Sequence, residues 1–159
     1  MPIATFYLLE EQHIDHARSQ AKADSVLLAA CYLATRCFRN RQKLWVHCND
    51  KQQAEKFDEL LWQQPNAAFV PHNLTGEGNG GAPVELGWSE PHYTRSNALL
   101  NLADEFPPFA RRFGVAYDFV PAEEARKQLA RQRYKQFKLA GFEISTSPAA
   151  QLLPDLAKQ

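Results

Sequence analysis

The feature that most constrains this chain is an alternation of short apolar runs with longer stretches of helical character. "ATFYLL" (4–9), "KLWVHC" (43–48) and "AAFV" (67–70) read as buried strands. Between them lie "DSVLLAACYLATRCF" (24–38), rich in helix formers, and "NDKQQAEKFDELLW" (49–62). Asn49, with Gln52 three residues on, fits a capping box at the start of the second helix. Strand, helix, strand, helix, strand at this spacing is a βαβαβ unit. Its strands lack clean alternation of apolar and polar residues, which predicts parallel strands covered on both faces.

The second half continues the pattern less regularly. "APVELGW" (82–88) opens a strand, "NALLNLA" (97–103) fits strand or helix, and "PPFARRF" (107–113) suits one or two helical turns. "VAYDFV" (115–120) is a strong strand. Pro121 is then expected in the first turn of a basic helix that Gly141 ends, with Ala125, Leu129 and Ala140 facing the sheet. "FEI" (142–144) suggests an edge strand. At 159 residues the chain is most simply one domain. The expected organisation is a single α/β domain over 1–146, with a Rossmann-like, mostly parallel sheet flanked by helices. A loosely held tail is expected over 147–159, which has two prolines and no periodicity.

Three cysteines, none in a C-x-x-C pair, argue against a disulfide framework or zinc knuckle and suit a reducing cytosol. No apolar run approaches the length of a membrane span, and the N-terminus lacks the basic start of a signal peptide. A cytoplasmic protein without a membrane partner is expected.

An α/β sheet of this kind often binds nucleotides at the carboxyl ends of its strands. A phosphate cradle needs glycines between a strand and a helix N-terminus. "EEQH" and "NDKQ" follow the first two strands, and neither contains glycine. Four of the seven glycines lie in "GEGNGGAP" (76–83), which leads into an apolar run rather than a helix and lacks a P-loop lysine. The simpler reading is a surface loop. His13 and His16 have no cysteine or carboxylate at zinc-ligand spacing, and His47 reads as a core residue. His47 and Cys48 point to opposite faces of a strand. No catalytic, metal or cofactor site is therefore expected.

"ARKQLARQRYKQFKLAG" (125–141) carries six of the eighteen basic residues of a chain whose formal net charge is zero. On a helix, Lys127, Arg131, Tyr134 and Lys138 fall within an arc of about 60°, with Lys135 beside them. Such a stripe is often only a solvated face. Here it has few acidic neighbours and includes an aromatic ring, which suits nucleic acid phosphates or an acidic peptide. A second basic set, Arg36, Arg39, Arg41 and Lys43, lies at the end of the first long helix, where the helix dipole accounts for it. "LLWQQPNAAFVPHN" (60–73) places Trp62 and Phe69 around a proline-bounded edge. They read either as core aromatics or as interface anchors.

"ATFYLL", "DELLWQQPNAAFVPHNLTGEGNGGAPVELGW" and "DFVPAEEARKQLARQRYKQFKLAGF" together resemble the chi subunit family of bacterial DNA polymerase III holoenzyme, from about Ala4 to about Ile144. The resemblance implies a non-catalytic accessory protein of DNA replication on a Rossmann-like sheet. Members pair with the psi subunit, which tethers them to the clamp loader, and grip the acidic C-terminal tail of single-stranded DNA-binding protein. They thus reach nucleic acid only indirectly. They have also been linked to a repair helicase that uses much the same surface as psi. The tail-binding positions match Val120, Lys127, Arg131, Tyr134 and Lys135, and Lys138 shares their face. The psi-facing positions match Trp62 and Phe69, near Pro71 and His72. The glycine loop is slightly compressed relative to the family. The alternative reading is a nucleotide- or nucleic-acid-binding enzyme on the same sheet.

Overall fold

The computed structural model describes residues 2–9, 25–63, 70–75, 82–91 and 96–152. In chain order these form β1 (Ile3–Leu8), α1 (Ser25–Arg39), β2 (Leu44–His47), α2 (Lys51–Gln63), β3 (His72–Leu74), β4 (Val84–Gly87), β5 (Ala98–Asn101), β6 (Val115–Val120), α3 (Glu124–Leu139) and β7 (Glu143–Pro148). All seven strands lie in one sheet of order β3-β4-β2-β5-β6-β1-β7. Every pairing in it is parallel. The expected parallel α/β domain is the observed fold.

Residue period within the strands divides the core in two. Leu44 and Val46 face α1 and α2, while Trp45 between them faces the α3 side. Tyr7 joins the first layer and Ala4 and Phe6 join the second. β5 is buried along its whole length because it sits mid-sheet between β2 and β6. That double cover explains why "NALLNLA" carries no period.

Gly87 is required by close approach. A Cβ there would stand 2.3 Å from Cζ2 and 2.6 Å from Cη2 of the buried Trp45 indole. Gly87→Ala should therefore overpack this layer and lower stability by about 1–3 kcal/mol. Urea denaturation checks this, and an unchanged midpoint would mean that the indole shifts without strain.

Several expectations change in detail. The third strand among the described residues is His72–Leu74, after Pro71. Pro71 has no N–H to give to a ladder, so pairing starts beyond it. Residues 67–69 of the expected strand lie outside the described residues. The cap of α2 is shifted by one: Gln53 N–H donates to Asp50 Oδ1 (2.8 Å), and Asn49 N–H donates to Gln53 Oε1 (2.6 Å).

Helix α3 starts at Glu124, not at Pro121, which continues the chain leaving β6. Its buried residues are Ala130, Arg133 and Phe137, while Ala125 is exposed. Phe137 meets Phe6, Phe106 and Phe142 edge-on, and that large ring sets the rotation of the helix. Gly141, at φ +96°, turns the chain from α3 into β7. The fold also runs further than 146. Residues 147 and 148 extend β7, and a 3-10 turn over Ala149–Leu152 buries Ala149 and Leu152. Arg36 secures this turn by donating from Nη2 to the Gln151 carbonyl (2.5 Å). Residues 153–159 of the expected tail lie outside the described residues.

Candidate protein-binding surfaces

The α3 surface follows from the rotation just described. With Ala130, Arg133 and Phe137 inward, Tyr134 lies at the border between the buried and outer faces. Lys127, Arg131 and Lys138 lie beyond it. Tyr134 is 37% exposed, and its ring rests on buried Phe6 of β1 with centroids 5.4 Å apart. Arg131, Lys135 and Lys138 are exposed, and Lys127 is partly buried. None of these four cations has an ion pair or hydrogen-bond acceptor among the described residues. Glu124, the acid in the first turn of the helix, accepts from Gln128 Nε2 instead (2.8 Å).

Val120, half-buried at the end of β6, pairs in register with Leu8 at the end of β1. Leu8 is 41% exposed. It follows Ala4 and Phe6 at a spacing of two, and so lies on the α3 side of the sheet. Val120, Tyr134 and Leu8 therefore give an apolar patch beside four cations. Leu8 was missed in the sequence because it sits within an apolar run that looked uniformly buried.

Arg133 belongs to the basic stretch but not to this surface. It is 6% exposed and grips Asp118 of β6 with both arms, Nε to Oδ2 at 2.9 Å and Nη2 to Oδ1 at 3.0 Å. Its remaining donors reach the carbonyls of Asp104 (2.9 Å) and Phe119 (3.1 Å). Asn101 Nδ2 and the Phe119 N–H also donate to Asp118. Burial pushes the Asp118 carboxyl up, while Arg133 and these N–H groups pull it back. The crevice lined by Asn101, Asp104, Asp118 and Arg133 lies at the carboxyl ends of β5 and β6. That is the position where open α/β sheets take ligands. Here the protein's own ion pair fills its polar lining.

The second surface lies across the sheet at the end of α2. Trp62 is 59% exposed, and its indole rests on the His72 imidazole, centroids 4.7 Å apart and tilted by 50°. The His72 side chain is fully covered. Its Nδ1 is 2.7 Å from the Val70 carbonyl, and its Nε2 is 3.0 Å from Asp58 Oδ1 and 3.2 Å from the Asp58 carbonyl. Asp58 thus fixes the ring on which Trp62 lies. Pro71 is half-buried beside them, and Phe69 lies outside the described residues.

Of the groups that sequence reading considered for chemistry, His47 and the cysteines are enclosed, and His13, His16 and residues 76–81 of the glycine loop lie outside the described residues. Burial pushes the Cys37 and Cys48 thiols up to about 12 and the Cys31 thiol higher still, so all three stay protonated and weakly nucleophilic at neutral pH. Burial lowers His47 to about 4, and its ring meets Phe109 edge-on. Among the described residues no group of three His, Cys, Asp or Glu side chains could hold a metal ion. No helix among them is long and apolar enough to cross a membrane.

These features define a parallel α/β domain that offers two separate side-chain surfaces on opposite faces of one sheet. Residues 1–145 match the family model described as DNA polymerase III chi subunit, HolC. The chain is 41% identical over 149 residues to the DNA polymerase III subunit chi of Escherichia coli (strain K12), covering 92% of this chain and 98% of that protein. It is 41% identical over 119 residues to the subunit chi of Haemophilus influenzae (strain ATCC 51907 / DSM 11121 / KW20 / Rd), covering 74% and 83% of the two chains. The chain belongs to the DNA polymerase III chi subunit family.

Proposed function

We propose that this chain is a non-catalytic accessory subunit of the DNA polymerase III holoenzyme in the cytoplasm. It links the clamp loader, through the psi subunit, to the acidic C-terminal tail of single-stranded DNA-binding protein. The observation that carries the tail reading is Tyr134, half-exposed on Phe6 beside Val120 and Leu8, with four cations that have no partner among the described residues. Charge alone gives little, since exposed ion pairs contribute about 0.2–1 kcal/mol each. Micromolar affinity needs about 8 kcal/mol. The apolar patch supplies the missing part by taking an aromatic side chain of the tail, while Lys127, Arg131, Lys135 and Lys138 take its carboxylates. The psi reading rests on Trp62, a large exposed ring held in one pose at a sheet edge. The repair helicase linked to the family is assigned to this same α2 surface.

A labelled tail peptide titrated into wild type, Arg131→Glu and Tyr134→Ala tests the first part. Both variants should bind at least tenfold more weakly, equivalent to about 1.4 kcal/mol. Raising salt should weaken wild-type binding but leave an apolar remainder, because only the charged part is screened. Wild-type affinity in a folded Arg131→Glu protein would reduce the basic helix to a solvated face.

A further inference from the structure

The apolar patch around Tyr134 is assembled from three elements. The β1–β6 ladder fixes Leu8 against Val120, and the Leu9 N–H donates to the Val120 carbonyl (2.9 Å). Helix α3, which carries Tyr134, packs on the sheet through its side chains. Phe137, the ring that sets its rotation, lies a turn beyond the patch. Nearer the patch the contact is polar, and Arg133 makes it.

The end of β6 explains why an arginine stands there. The last pair of the β5–β6 ladder is Leu100 with Tyr117. Backbone groups of a parallel strand alternate between its two neighbours. The Val115 N–H donates to the Asn97 carbonyl, so Val115, Tyr117 and Phe119 face the β5 side. Phe119 lies past the end of that ladder. Its N–H donates instead to Asp118 Oδ1 (2.7 Å), and its carbonyl accepts from Arg133 Nη2 (3.1 Å). The ion pair thus stands in for the missing strand. Arg133 Nη1 also holds the chain that leaves β5, at the Asp104 carbonyl (2.9 Å).

This contact sits one residue from each wall of the patch. Arg133 precedes Tyr134 in α3, and Phe119 precedes Val120 in β6. Phe6, under the Tyr134 ring, is in register with Asp118, the partner of Arg133. Successive side chains of α3 therefore engage neighbouring positions of one row across β1 and β6.

We propose that Arg133 is a positioning residue for the aromatic side chain of an acidic peptide tail, fixing the gap between Tyr134 and Val120 that receives it without touching the peptide. This rests on the tail reading above and adds the residue that shapes its apolar half. Asp118 matches the charge of Arg133, so the guanidinium adds nothing to the attraction of carboxylates. Its contribution is a gap set before binding, which lowers the ordering cost on contact. Lysine cannot replace it. The bonds to Asp118, Phe119 and Asp104 need a planar fork with donors in several directions, and an ammonium is a single point.

Two labelled tail peptides test this, one with its aromatic residue and one with alanine in that place. They are titrated at a temperature where circular dichroism shows every variant folded. Wild type should bind the aromatic peptide about tenfold more tightly or better. Arg133→Lys should cut that ratio to about threefold or less while binding the alanine peptide like wild type. Arg133→Met with Asp118→Leu replaces the pair by apolar groups and keeps the domain stable. It also releases Phe119, so it should show the same reduced ratio, and instability cannot then be the cause. The salt dependence of both variants should match wild type, because Lys127, Arg131, Lys135 and Lys138 remain. Three results overturn the proposal and leave the tail reading in place: a wild-type ratio in either variant, an equal loss of both peptides, or a shallower salt dependence in the double variant, which would put Arg133 on the carboxylates themselves. Wild type that binds neither peptide, or both alike, removes the apolar half of the tail reading and this proposal with it.

Discussion

Arg133→Ala should lower the stability of this domain by about 3–5 kcal/mol, because it leaves Asp118 as an uncompensated buried charge. For a chain of this size that is a fall of about 10–15 °C in the thermal midpoint. The loss should depend on pH, and the sign follows from Asp118. In the wild type, burial pushes its carboxyl up, and Arg133 is foremost among the groups that pull it back. Without Arg133 the upward push dominates, and the folded-state pKa rises well above the value in the unfolded chain. Between those two values the folded variant holds a proton that the unfolded chain has released. Variant stability therefore falls as pH rises through that window, and the deficit against wild type is smallest in acid. His47, lowered by burial, makes both proteins lose stability as pH falls below its ordinary value, and so cancels in the difference. Urea denaturation at pH 5 and pH 7 measures the effect. Replacing the pair together, Arg133→Met with Asp118→Leu, should recover most of the loss. An Arg133→Ala protein that melts within about 3 °C of wild type would mean that water or local movement relieves Asp118.

The same pair marks the limit of what the sequence reveals about the basic helix. Its cations were legible as a group, and the arc of Lys127, Arg131, Tyr134 and Lys138 follows from helical period alone. Periodicity does not say which face turns inward. Ala125 and Leu129 looked like the inner face, but Phe137 and Arg133 decide the rotation. A signal was present: Asp118 stands in the middle of "VAYDFV", and a carboxylate in a buried strand demands a cationic partner.

The sheet itself was readable because parallel strands in mid-sheet are covered on both faces, and no residue of "LWVH" or "VAYDFV" is exposed. The edges were harder to read. β3 is three residues long and follows a proline, so its own residues carry little pattern. β7 carries "STSP" with little burial, yet it is fixed by its ladder to β1. Leu8 and Asp58 depend on neighbours beyond their own elements. Asp58 reaches His72, fourteen residues on, and Leu8 meets Val120 only because β1 pairs with β6. Such pairings come from topology, to which local pattern is blind.

Trp62→Ala should cost psi binding about 2–4 kcal/mol, a loss of thirtyfold or more, while leaving the fold intact. The indole is 59% exposed and belongs to neither core layer, so its removal leaves no internal cavity. What it offers a partner is a large apolar face whose pose is already set. The fully covered His72 ring lies under it, held between the Val70 carbonyl and Asp58. A side chain ordered before binding loses less entropy on contact, which is what distinguishes an anchor from a merely exposed ring. Asp58→Asn keeps the size of the side chain but removes the charge that holds His72, so it should weaken psi binding by less than Trp62→Ala does. The two substitutions together should fall short of the sum, because both act through one indole. Tail-peptide affinity should be unchanged in all three proteins, since α2 and α3 lie on opposite faces of the sheet. Titration calorimetry with psi, and anisotropy with the tail peptide, read the two surfaces independently. A folded Trp62→Ala protein that binds psi like wild type would move the psi contact away from this end of α2. Loss of both affinities would show that the two surfaces are not separate.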